Sequence, residues 1–380
     1  MEDYYSDFRR PRKEQRGILT WVMDVVMSVA MVIVIIAGLL TLLVPHISPE
    51  HLWIFTSLGL VAPVIYVATL ILMLYWIIRW HWVRAGTMVG LAVLGFFSFS
   101  LFYRPEIGRQ YGEQSYRGAF KVLTYNLRWF YNDEGQSSVG EVMDLIEEAD
   151  PDIICLQEYN ARLADRSERV KLLESRYQCK FFGNVDEEPD SVDIVPMCIF
   201  SKYKIIRSGE ILSPRTSVWV DLRIDGDTVR VFNNHLMSTA IKSSDNEFLN
   251  HLFQKDTARE EKVRSIFRRF SDNSILRARQ VDTIAKVIAS SPRHRIVCGD
   301  FNDTPMSYAY STMADDLEDT FSDCGSGYSY TYRGFFNTLR IDYILRSDEF
   351  ETLSYEVPDS VHASDHLPVI VRLRKVKKEN

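Results

Sequence analysis

Three long stretches without a single charged residue constrain this chain more than any other feature. They cover residues 25–44, 52–78 and 85–103, and each is about long enough to cross the ~30 Å hydrocarbon core of a bilayer as a helix. None has the polar face that a helix of this length carries in a soluble protein. The first is too long for a secretory signal, and two more follow it. The sequence therefore predicts an all-α transmembrane segment of about three helices, within an N-terminal anchor at residues 1–104.

The basic residues in the short loops predict the orientation of these helices. Five precede the first stretch, none lies in the loop after it, and two lie in the next turn: Arg9, Arg10, Arg12, Lys13 and Arg16, then Arg79 and Arg84. Positive charge favours the cytoplasmic side. Three spans then place the rest of the chain outside the cytoplasm, anchored in the plasma (inner) membrane. The third stretch is rich in Gly, Ser and Phe, and two spans would reverse that side.

Two kinds of residue mark the predicted membrane boundaries. Asp24 lies at the cytoplasmic edge of the first stretch, where we interpret it as an interfacial carboxylate. Aromatic residues at span ends are typical interface anchors, and here they are Trp53, Tyr75, Trp76, Trp80 and Trp82.

The remainder of the chain has the composition of a soluble, acidic domain. Residues 1–116 hold 9 Lys+Arg and 8 Asp+Glu, so the rest holds 35 basic and 43 acidic residues, a net charge of −8. A protein that tracks along duplex DNA usually carries a basic face, because phosphate contacts dominate its affinity. The acidic balance disfavours nucleic acid as the substrate without excluding it. We predict a polar linker at residues 105–118 and a second domain at 119–376.

The five cysteines indicate neither a disulfide framework nor a zinc site. Cys155, Cys198 and Cys298 lie in apolar runs and are interpreted as small buried hydrophobes. Cys179 and Cys324 could pair only if the fold brings them together, which the sequence leaves open.

Strand-like and helix-like patterns alternate after residue 118. We predict helices at residues 139–150 and 276–289, and turns at Ser208-Gly209 and Asp225-Gly226. Short turns between adjacent strands, mixed with helices, favour two packed sheets flanked by helices over a simple parallel sheet. The predicted strands are FKVLTYNL, DIICLQE, MCIFSKYKI, SVWVDLRI, TVRVFNNHL, HRIVCGD, IDYILRS and HLPVIVRLR.

A charged insertion separates two of these strands. Residues 238–275 carry apolar positions at helical spacing, which indicates one or two amphipathic helices. The insertion either lies beside the site or is a solvated surface segment. Its apolar positions are Phe248, Leu249, Leu252, Phe253, Val263, Ile266, Phe267 and Phe270.

Polar residues end otherwise apolar strands at six places in this domain. Any one of them has an ordinary structural explanation, such as a turn cap, a surface carboxylate or a buried histidine. Six such motifs in one order make independent explanations improbable. The residues are Asn126, Glu158, Asn233 with His235, Asp300 with Asn302, Asp342, and Asp365 with His366.

This set resembles the endonuclease/exonuclease/phosphatase superfamily, which includes deoxyribonuclease I, repair exonucleases, neutral sphingomyelinases and inositol polyphosphate 5-phosphatases. The match spans about residues 119–374, and the motifs GDFN, IDYI and SDH carry most of its specificity. The resemblance implies a four-layered α/β sandwich, with the site at one edge where the two sheets meet.

The resemblance also implies a divalent-metal site. Asn126 and Glu158 are implied as metal ligands, with Asp365 near the ion. Oxygen ligands without cysteine suit Mg²⁺, with Mn²⁺ as the other possible ion. The residues predicted to bind the substrate are Asn233, Arg279 and Arg340.

Five further residues are implied as the catalytic group. Asp300 would orient or deprotonate the attacking water, and Asn302 would donate to the transition-state oxygens. His235 would hydrogen-bond the phosphate or protonate the leaving group. His366 would be a second imidazole facing the phosphate, held by Asp342. These are the parts that phosphodiester hydrolysis requires: an oriented water, neutralised phosphoryl charge and a stabilised leaving oxygen.

Two differences from the exonuclease III type of repair enzyme indicate which branch of the family this chain resembles. Repair enzymes of the exonuclease III type carry an aspartate where this chain has Arg128, and a Tyr-containing motif where it has the NNHL that includes His235. An abasic-site repair role is therefore disfavoured.

The leading expectation is a membrane-anchored, Mg²⁺-dependent hydrolase, a phosphodiesterase or phosphatase acting on a lipid headgroup or small phosphoester. The bilayer is its other expected partner, and no protein partner is predicted. A surface-anchored non-specific nuclease is the alternative, and a catalytically inactive binding module is the second alternative.

Overall fold

A computed structural model of the chain describes residues 17–105, 116–182, 197–212, 216–239, 258–334 and 337–376. The chain forms two compact units. One contains the described residues up to Leu39 together with Val64–Gly95. The other contains Leu40–Pro63 and the described residues from Phe96 onward. Residues 40–63 therefore group with the C-terminal domain, although the sequence assigned them to the anchor.

Strands alternate with helices in the C-terminal part of the chain, whereas the helices occur throughout the described residues. The helices are α1 (Ile18–Thr41), α2 (Pro49–Leu52), α3 (Ile54–Leu60), α4 (Ala62–Ile78), α5 (Trp82–Phe99), α6 (Val139–Ala149), α7 (Ala161–Ala164), α8 (Glu168–Arg176), α9 (Ala258–Ala289), α10 (Tyr308–Met313) and α11 (Thr320–Cys324), with single 3₁₀ turns at Val44–His46 and Arg128–Phe130. The strands are β1 (Tyr103–Arg104), β2 (Ala119–Asn126), β3 (Ile153–Gln157), β4 (Gln178–Phe182), β5 (Met197–Ser201), β6 (Lys204–Ile211), β7 (Ser217–Ile224), β8 (Asp227–His235), β9 (Arg295–Asp300), β10 (Glu318–Asp319), β11 (Gly327–Tyr328), β12 (Asp342–Arg346), β13 (Phe350–Glu356) and β14 (Val369–Lys375).

Two helices of the anchor, α1 and α5, are long and apolar enough to cross a membrane. The second predicted span is not one continuous helix. It breaks into α3 and α4, which meet at an angle of 63° and count as a third crossing only if the bent pair is one span. Pro63 lies at the start of α4, where proline is tolerated because the first turn has no intrahelical partner for its missing N–H.

Polar contacts join the helices of the first unit near their predicted cytoplasmic ends. Asp24 is buried and accepts hydrogen bonds from the Tyr75 hydroxyl at 2.7 Å and from Arg79 Nε and Nη2 at 2.9 Å each. Trp76 was predicted to be an interface anchor, and this is wrong. Its side chain is fully buried, and the Arg84 guanidinium lies 4.4 Å from its ring centroid.

The C-terminal domain contains two mixed six-stranded sheets, as the sequence predicted. The first has the strand order β13-β14-β2-β3-β5-β4, and the second has the order β10-β12-β9-β8-β7-β6. Alternate side chains of the two sheets meet in a shared apolar core that includes Val122, Cys155, Val231 and Ile344. The outer face of the first sheet packs on α6 and α8, and that of the second packs on α9 and α10. These four layers confirm the predicted sandwich.

One predicted strand is in fact two. The run MCIFSKYKI crosses from one sheet to the other, because β5 ends at Ser201 and β6 begins at Lys204. The turn predicted at Ser208-Gly209 is also wrong, since both residues lie inside β6. Gly209 is needed there because a Cβ would lie 2.6 Å from the Trp219 ring. The turn at Asp225-Gly226 is confirmed, and positive φ values of 48° and 86° make it a tight hairpin turn.

The predicted helix at residues 276–289 is longer at its N-terminal end and begins at Ala258. Residues 240–257 of the predicted insertion lie outside the described residues, as do the side chains at 263, 266 and 267. Phe270 is buried. The thiol of Cys324 donates a hydrogen bond to the Thr352 carbonyl, and the structure does not join it to Cys179 in a disulfide.

Candidate active site

The register of the two sheets brings the polar strand ends together. The strands β2 and β3 are parallel and end side by side, with Asn126 opposite Gln157 and Glu158 following directly. In the other sheet, β8 and β9 are parallel and end with His235 opposite Asp300. The first residue of β12, Asp342, also pairs with Asp300. Residues far apart in sequence therefore meet at one edge of the sandwich.

Asn126 links the carboxylates of the two sheets. Its Nδ2 donates to Glu158 Oε1 at 3.3 Å and to Asp300 Oδ2 at 3.1 Å, while its Oδ1 accepts the backbone N–H of Arg128 at 3.0 Å. In this arrangement the amide holds two carboxylates close together. If the Asn126 amide rotated by half a turn, its oxygen would take the place of its nitrogen and face the space between Glu158 and Asp300.

Asp300 is fully buried and contacts residues from several of these strand ends. Its Oδ1 accepts the backbone N–H of Asn302 at 2.8 Å, and its Oδ2 accepts Asn302 Nδ2 at 3.0 Å. Burial raises the pKa of Asp300 to about 6, with a further increase from Asp342 that is opposed by the neighbouring His366. A carboxylate with such a pKa can accept a proton near neutral pH.

Backbone strain marks the ends of the strands that form the site. Glu158 and Asn302 have φ values of 52° and 53°, a left-handed conformation that residues with a Cβ seldom adopt. The turn at Arg128–Phe130 has three consecutive positive φ values of 45°, 59° and 62°. Such strain persists only where the surrounding contacts impose it, and it is concentrated at functional sites.

The two histidines have opposite surroundings. Nε2 of His235 lies 3.5 Å from Glu158 Oε1 and 3.6 Å from Asp300 Oδ2, while its Nδ1 is buried without a hydrogen-bond partner among the described residues. Burial lowers the pKa of His235, against the attraction of Asp300. The neutral imidazole is therefore favoured, and it carries its proton on one nitrogen only.

His366 forms a buried pair with Asp342. Its Nδ1 lies 3.0 Å from Asp342 Oδ2, and its Nε2 lies 3.8 Å from Asp300 Oδ2. Burial alone would lower the pKa of His366, but the charges of Asp342 and Asp300 outweigh it and raise the pKa well above its usual range. The ring of Tyr332 packs on the imidazole with centroids 5.1 Å apart. His366 is therefore held as an oriented imidazolium.

The donor set of this edge suits a hard divalent cation. One side-chain atom each of Asp300, Asp342 and His366 lies within 4.8 Å of the others. The charged imidazolium of His366 has no lone pair for a metal ion, so the carboxylate oxygens are the donors of this group. Burial raises the pKa of Glu158 as well, and the charge of Asp365 acts in the same direction. Several carboxylates that resist ionisation together are stabilised when a cation neutralises them, and Mg²⁺ prefers oxygen ligands of this kind.

Three residues predicted to bind substrate lie outside this group. Asn233 is buried and joins the sheets, because its Nδ2 donates to the carbonyls of Leu156 and Cys198. Arg340 is buried and pairs with Asp319 at 2.8 Å. Arg279 is mostly exposed and pairs with Glu50. Asn233 and Arg340 are fully buried and bonded within the protein, which gives them structural roles. The substrate contact predicted for the exposed Arg279 stays a prediction.

Two residues near the site were not selected from the sequence. Arg128 was noted only as a departure from the repair enzymes, yet its Nε lies 3.8 Å from Asp365 Oδ2 and its side chain is one-third exposed. Tyr332, which packs on His366, lies in a segment without any motif. A residue placed by a loop gives no periodic signal, so only the folded chain reveals it.

Comparisons with known proteins agree with this geometry. The model of the "Endonuclease/Exonuclease/phosphatase family" matches residues 123–366. A "Domain of unknown function (DUF8431)" matches residues 24–102. A search of curated proteins found no match.

Several solved structures match the chain at low sequence identity. The human Nocturnin catalytic domain is 18% identical, with 68% of this chain and 94% of that chain covered and a TM-score of 0.47. An endonuclease/exonuclease/phosphatase from Bacteroides vulgatus is 16% identical, with 68% and 99% covered and a TM-score of 0.47. The 3′ phosphatase NExo from Neisseria is 18% identical, with 66% and 98% covered and a TM-score of 0.44.

The family model covers more than half of the sequence and includes every strand end that forms the site. The chain therefore belongs to the endonuclease/exonuclease/phosphatase family, whose members hydrolyse phosphoester bonds.

Proposed function

We propose that this protein is a membrane-anchored, Mg²⁺-dependent phosphodiesterase or phosphatase that acts outside the cytoplasm on a lipid headgroup or another small phosphoester. The observation that carries the proposal is geometric: Nε2 of His235 and Nε2 of His366 lie 3.6 Å and 3.8 Å from the same buried oxygen, Asp300 Oδ2. Burial lowers the pKa of His235, whereas the charges of Asp342 and Asp300 raise the pKa of His366 against the effect of burial. Environments that push the pKa values of two such groups apart are typical of acid and base roles in one site.

Each side chain of the site would have a separate role in the attack of water on the phosphorus. Asp300, with its raised pKa, would take the proton of a water oriented beside it. The imidazolium of His366 would donate to the phosphoryl oxygens, and His235 would donate to the leaving oxygen. The amide of Asn302 donates to Asp300 and to the Leu236 carbonyl, so it would exchange one of these bonds for a phosphoryl oxygen. A bound Mg²⁺ supplies charge neutralisation to the phosphate. We propose that Glu158 holds it, with Asn126 and Asp365 beside the ion.

A hydrogen bond between the site and a residue close to an apolar helix supports a substrate at the membrane. Thr304 follows Asn302 by two positions, and its hydroxyl donates to the carbonyl of Gly59. Gly59 lies three residues before the apolar helix α4 begins. The net charge of the domain favours a lipid or small phosphoester over nucleic acid for the same site. An inactive binding module would not need two differently tuned histidines beside a buried carboxylate.

A parallel substrate assay tests this proposal. The full chain in detergent with Mg²⁺ would be given sphingomyelin, phosphoinositides, a chromogenic phosphodiester, a phosphomonoester, DNA and RNA. We expect hydrolysis of a lipid or small ester at a higher kcat/KM than of either nucleic acid. Preferential hydrolysis of DNA or RNA would favour the anchored nuclease instead, and no hydrolysis of any of them would favour the binding module.

Removal of the metal is expected to abolish turnover, and Mg²⁺ or Mn²⁺ should restore it. Glu158→Gln keeps the shape of the side chain but weakens a hard anionic ligand. We expect it to raise the Mg²⁺ concentration for half-maximal activity by about 10- to 100-fold. Glu147→Gln on the exposed face of α6 is the control and should leave the titration unchanged. Full activity in chelator, or rescue by Zn²⁺ alone, would contradict the assignment.

The topology can be tested because residues 44–60 contact the catalytic domain and must share its side of the membrane. An even number of crossings then separates the two segments. We propose that α5 is one of them and that α4, whose 17 residues are at the lower end of the length that spans a bilayer, is the other without α3. A membrane-impermeant thiol reagent added to intact cells should label cysteines introduced at the exposed His51 and Asp348. A cysteine at Ser6 should react only after permeabilisation. Labelling of Ser6→Cys in intact cells would reverse the proposed orientation.

A further inference from the structure

The segment between the first two apolar helices is part of the catalytic unit. We call residues 44–60 the interspan segment; it contains the turn at Val44–His46 and the helices α2 and α3. It belongs to the compact unit that holds the active site and not to the unit formed by the helices that flank it in sequence. A loop that merely joined two membrane spans would have no reason to bury residues there.

The interspan segment packs on two elements of the catalytic domain. The turn at Val44–His46 contacts α10, and α2 contacts α9. Val44 is 1% exposed, although it lies in a short connection between apolar helices. On the outer side of this contact, Glu50 forms an ion pair with Arg279 of α9. The contact thus has a buried apolar side and an exposed polar side.

On its buried side, the interspan segment contacts the loop that carries the proposed catalytic residue Asn302. We call residues 301–306 the catalytic loop, because it follows Asp300 and contains Asn302. Thr304 of this loop is 2% exposed, and its hydroxyl donates to the Gly59 carbonyl at 3.2 Å. A Cβ on Gly59 would lie 2.5 Å from the carbonyl oxygen of Met306. Only glycine at position 59 allows the two backbones to approach so closely.

Residues next to the ends of the apolar helices α4 and α5 also contact this loop or lie close to it. Met306 is buried in a small apolar cluster with Ala62 and Phe102, which lie at the ends of the connections to α4 and α5. The carbonyl of Leu101 accepts a hydrogen bond from the buried Arg340 at 2.7 Å. The catalytic loop is therefore bounded by residues from both connections to the apolar helices.

We propose that the interspan segment is a positioning element of the active site, with Gly59 of the segment and Thr304 of the catalytic loop as the positioning residues. The close backbone approach at Gly59 and the buried hydrogen bond of Thr304 hold the catalytic loop so that Asn302 faces Asp300. The inference rests on the proposed function for its kinetic consequence. It makes residues 44–60, which the sequence assigned to the anchor, a part of the catalytic unit.

Gly59→Ala in the full chain tests this coupling, with Gly86→Ala as the matched control. An added methyl at Gly86 of α5 has open space around it. At Gly59 it must displace the Met306 carbonyl, and misplacement of a catalytic group by about 1 Å can cost on the order of 10²-fold in rate. We expect kcat on a small chromogenic ester to fall by about that factor, with KM and the Mg²⁺ requirement unchanged. Gly86→Ala should match the wild type.

Thr304→Val and Thr320→Val form a second matched pair. Both hydroxyls are buried and donate to a backbone carbonyl, but Thr320 donates to Ile344 inside the domain. Both changes should lower the melting temperature to a similar degree. We expect only Thr304→Val to reduce kcat, by several-fold to about tenfold, because it alone removes a contact between the interspan segment and the catalytic loop.

Amide hydrogen exchange of residues 301–307 provides a readout that does not depend on activity. We expect faster exchange there in Gly59→Ala and Thr304→Val than in the wild type and in the two controls. Equal exchange in all five proteins would overturn the inference whatever the kinetics. A wild type without phosphoesterase activity, combined with faster exchange in the two variants, would support the coupling while refuting the proposed function. A parallel loss of kcat in Thr320→Val would reduce the effect to general destabilisation and overturn the inference.

Discussion

Replacing Asp300 with asparagine is expected to lower kcat by on the order of 10²–10³ or more, with little change in KM. Asparagine can keep the hydrogen bond from the Asn302 backbone, so the shape of the site is largely retained. It cannot take a proton from water, and it removes a negative charge from between His235 and His366. The change therefore acts on the transition state more than on substrate binding.

The matched control is Asp221→Asn in the same sheet. Asp221 is as deeply buried as Asp300, but it pairs with Arg230 on β8, away from the strand ends, through bonds of 2.7 Å and 2.9 Å. Loss of its charge should lower the melting temperature and leave kcat unchanged in the protein that remains folded. Similar kinetic losses in Asp221→Asn and Asp300→Asn would mean that Asp300 has no special role in the chemistry.

The pH profile gives a second readout of Asp300. A base must be deprotonated to act, so the wild type should lose activity as the pH falls through the pKa of this carboxyl, which burial raises to about 6. A bound divalent cation opposes protonation, so the acidic limb should lie at or below that pH in saturating Mg²⁺. In Asp300→Asn the residual activity should lose this acidic limb.

The site was predictable from sequence because its residues lie at strand ends. An apolar run that stops at a polar residue shows both where a strand ends and which side chain is exposed at the sheet edge. His235 and Asp300 illustrate this, since each is the last residue of its strand and the parallel register places them side by side. The order of the motifs then identified the family and, with it, the sandwich.

Two of the predicted substrate contacts, at Asn233 and Arg340, failed for one physical reason: proximity in sequence does not fix the direction of a side chain. Asn233 lies two residues before His235, but it points into the interface between the sheets and bonds to the opposite sheet. Arg340 lies two residues before Asp342 and is buried against Asp319 and Phe321, with its guanidinium 4.6 Å from the Phe321 centroid. Neither orientation has a local signal.

The interspan segment could not be predicted because its apolar residues serve a different purpose from those of the spans. Residues 52–78 read as one uncharged stretch, yet the chain bends by 63° between α3 and α4. Apolar side chains can be buried in lipid or against protein, and composition alone does not distinguish the two. The close contact at Gly59 is a tertiary feature that no hydropathy pattern encodes.

The second prediction with a large expected effect concerns the pair formed by Asp342 and His366. In a double-mutant cycle, we expect the losses of kcat from the two substitutions not to be additive. His366→Ala removes the imidazolium that would donate to the phosphate, and we expect kcat to fall by on the order of 10²-fold or more. Asp342→Asn keeps a group within reach of Nδ1 at the distance of 3.0 Å, but it removes the charge that favours the imidazolium. We expect a smaller loss, because the ring remains in place.

The sign of the pH effect follows from the role of His366. Asp342 raises the pKa of the imidazole, together with Asp300 and against the effect of burial, so the ring is charged at neutral pH. An acid loses its proton as the pH rises, so His366 sets the alkaline limb of the pH–rate profile. Asp342→Asn lowers the pKa and should shift that limb to lower pH. His366→Ala should abolish the limb.

The double variant then distinguishes a coupled pair from two independent residues. If Asp342 acts only through His366, the combination of His366→Ala and Asp342→Asn should cost little more than His366→Ala alone. Asp342 is also the first residue of β12 and opposes Asp300 in the sheet, so a purely structural role would lower the melting temperature and add its kinetic cost in full. Strict additivity of the two changes, in protein that remains folded by circular dichroism, would mean that the imidazolium does not depend on Asp342.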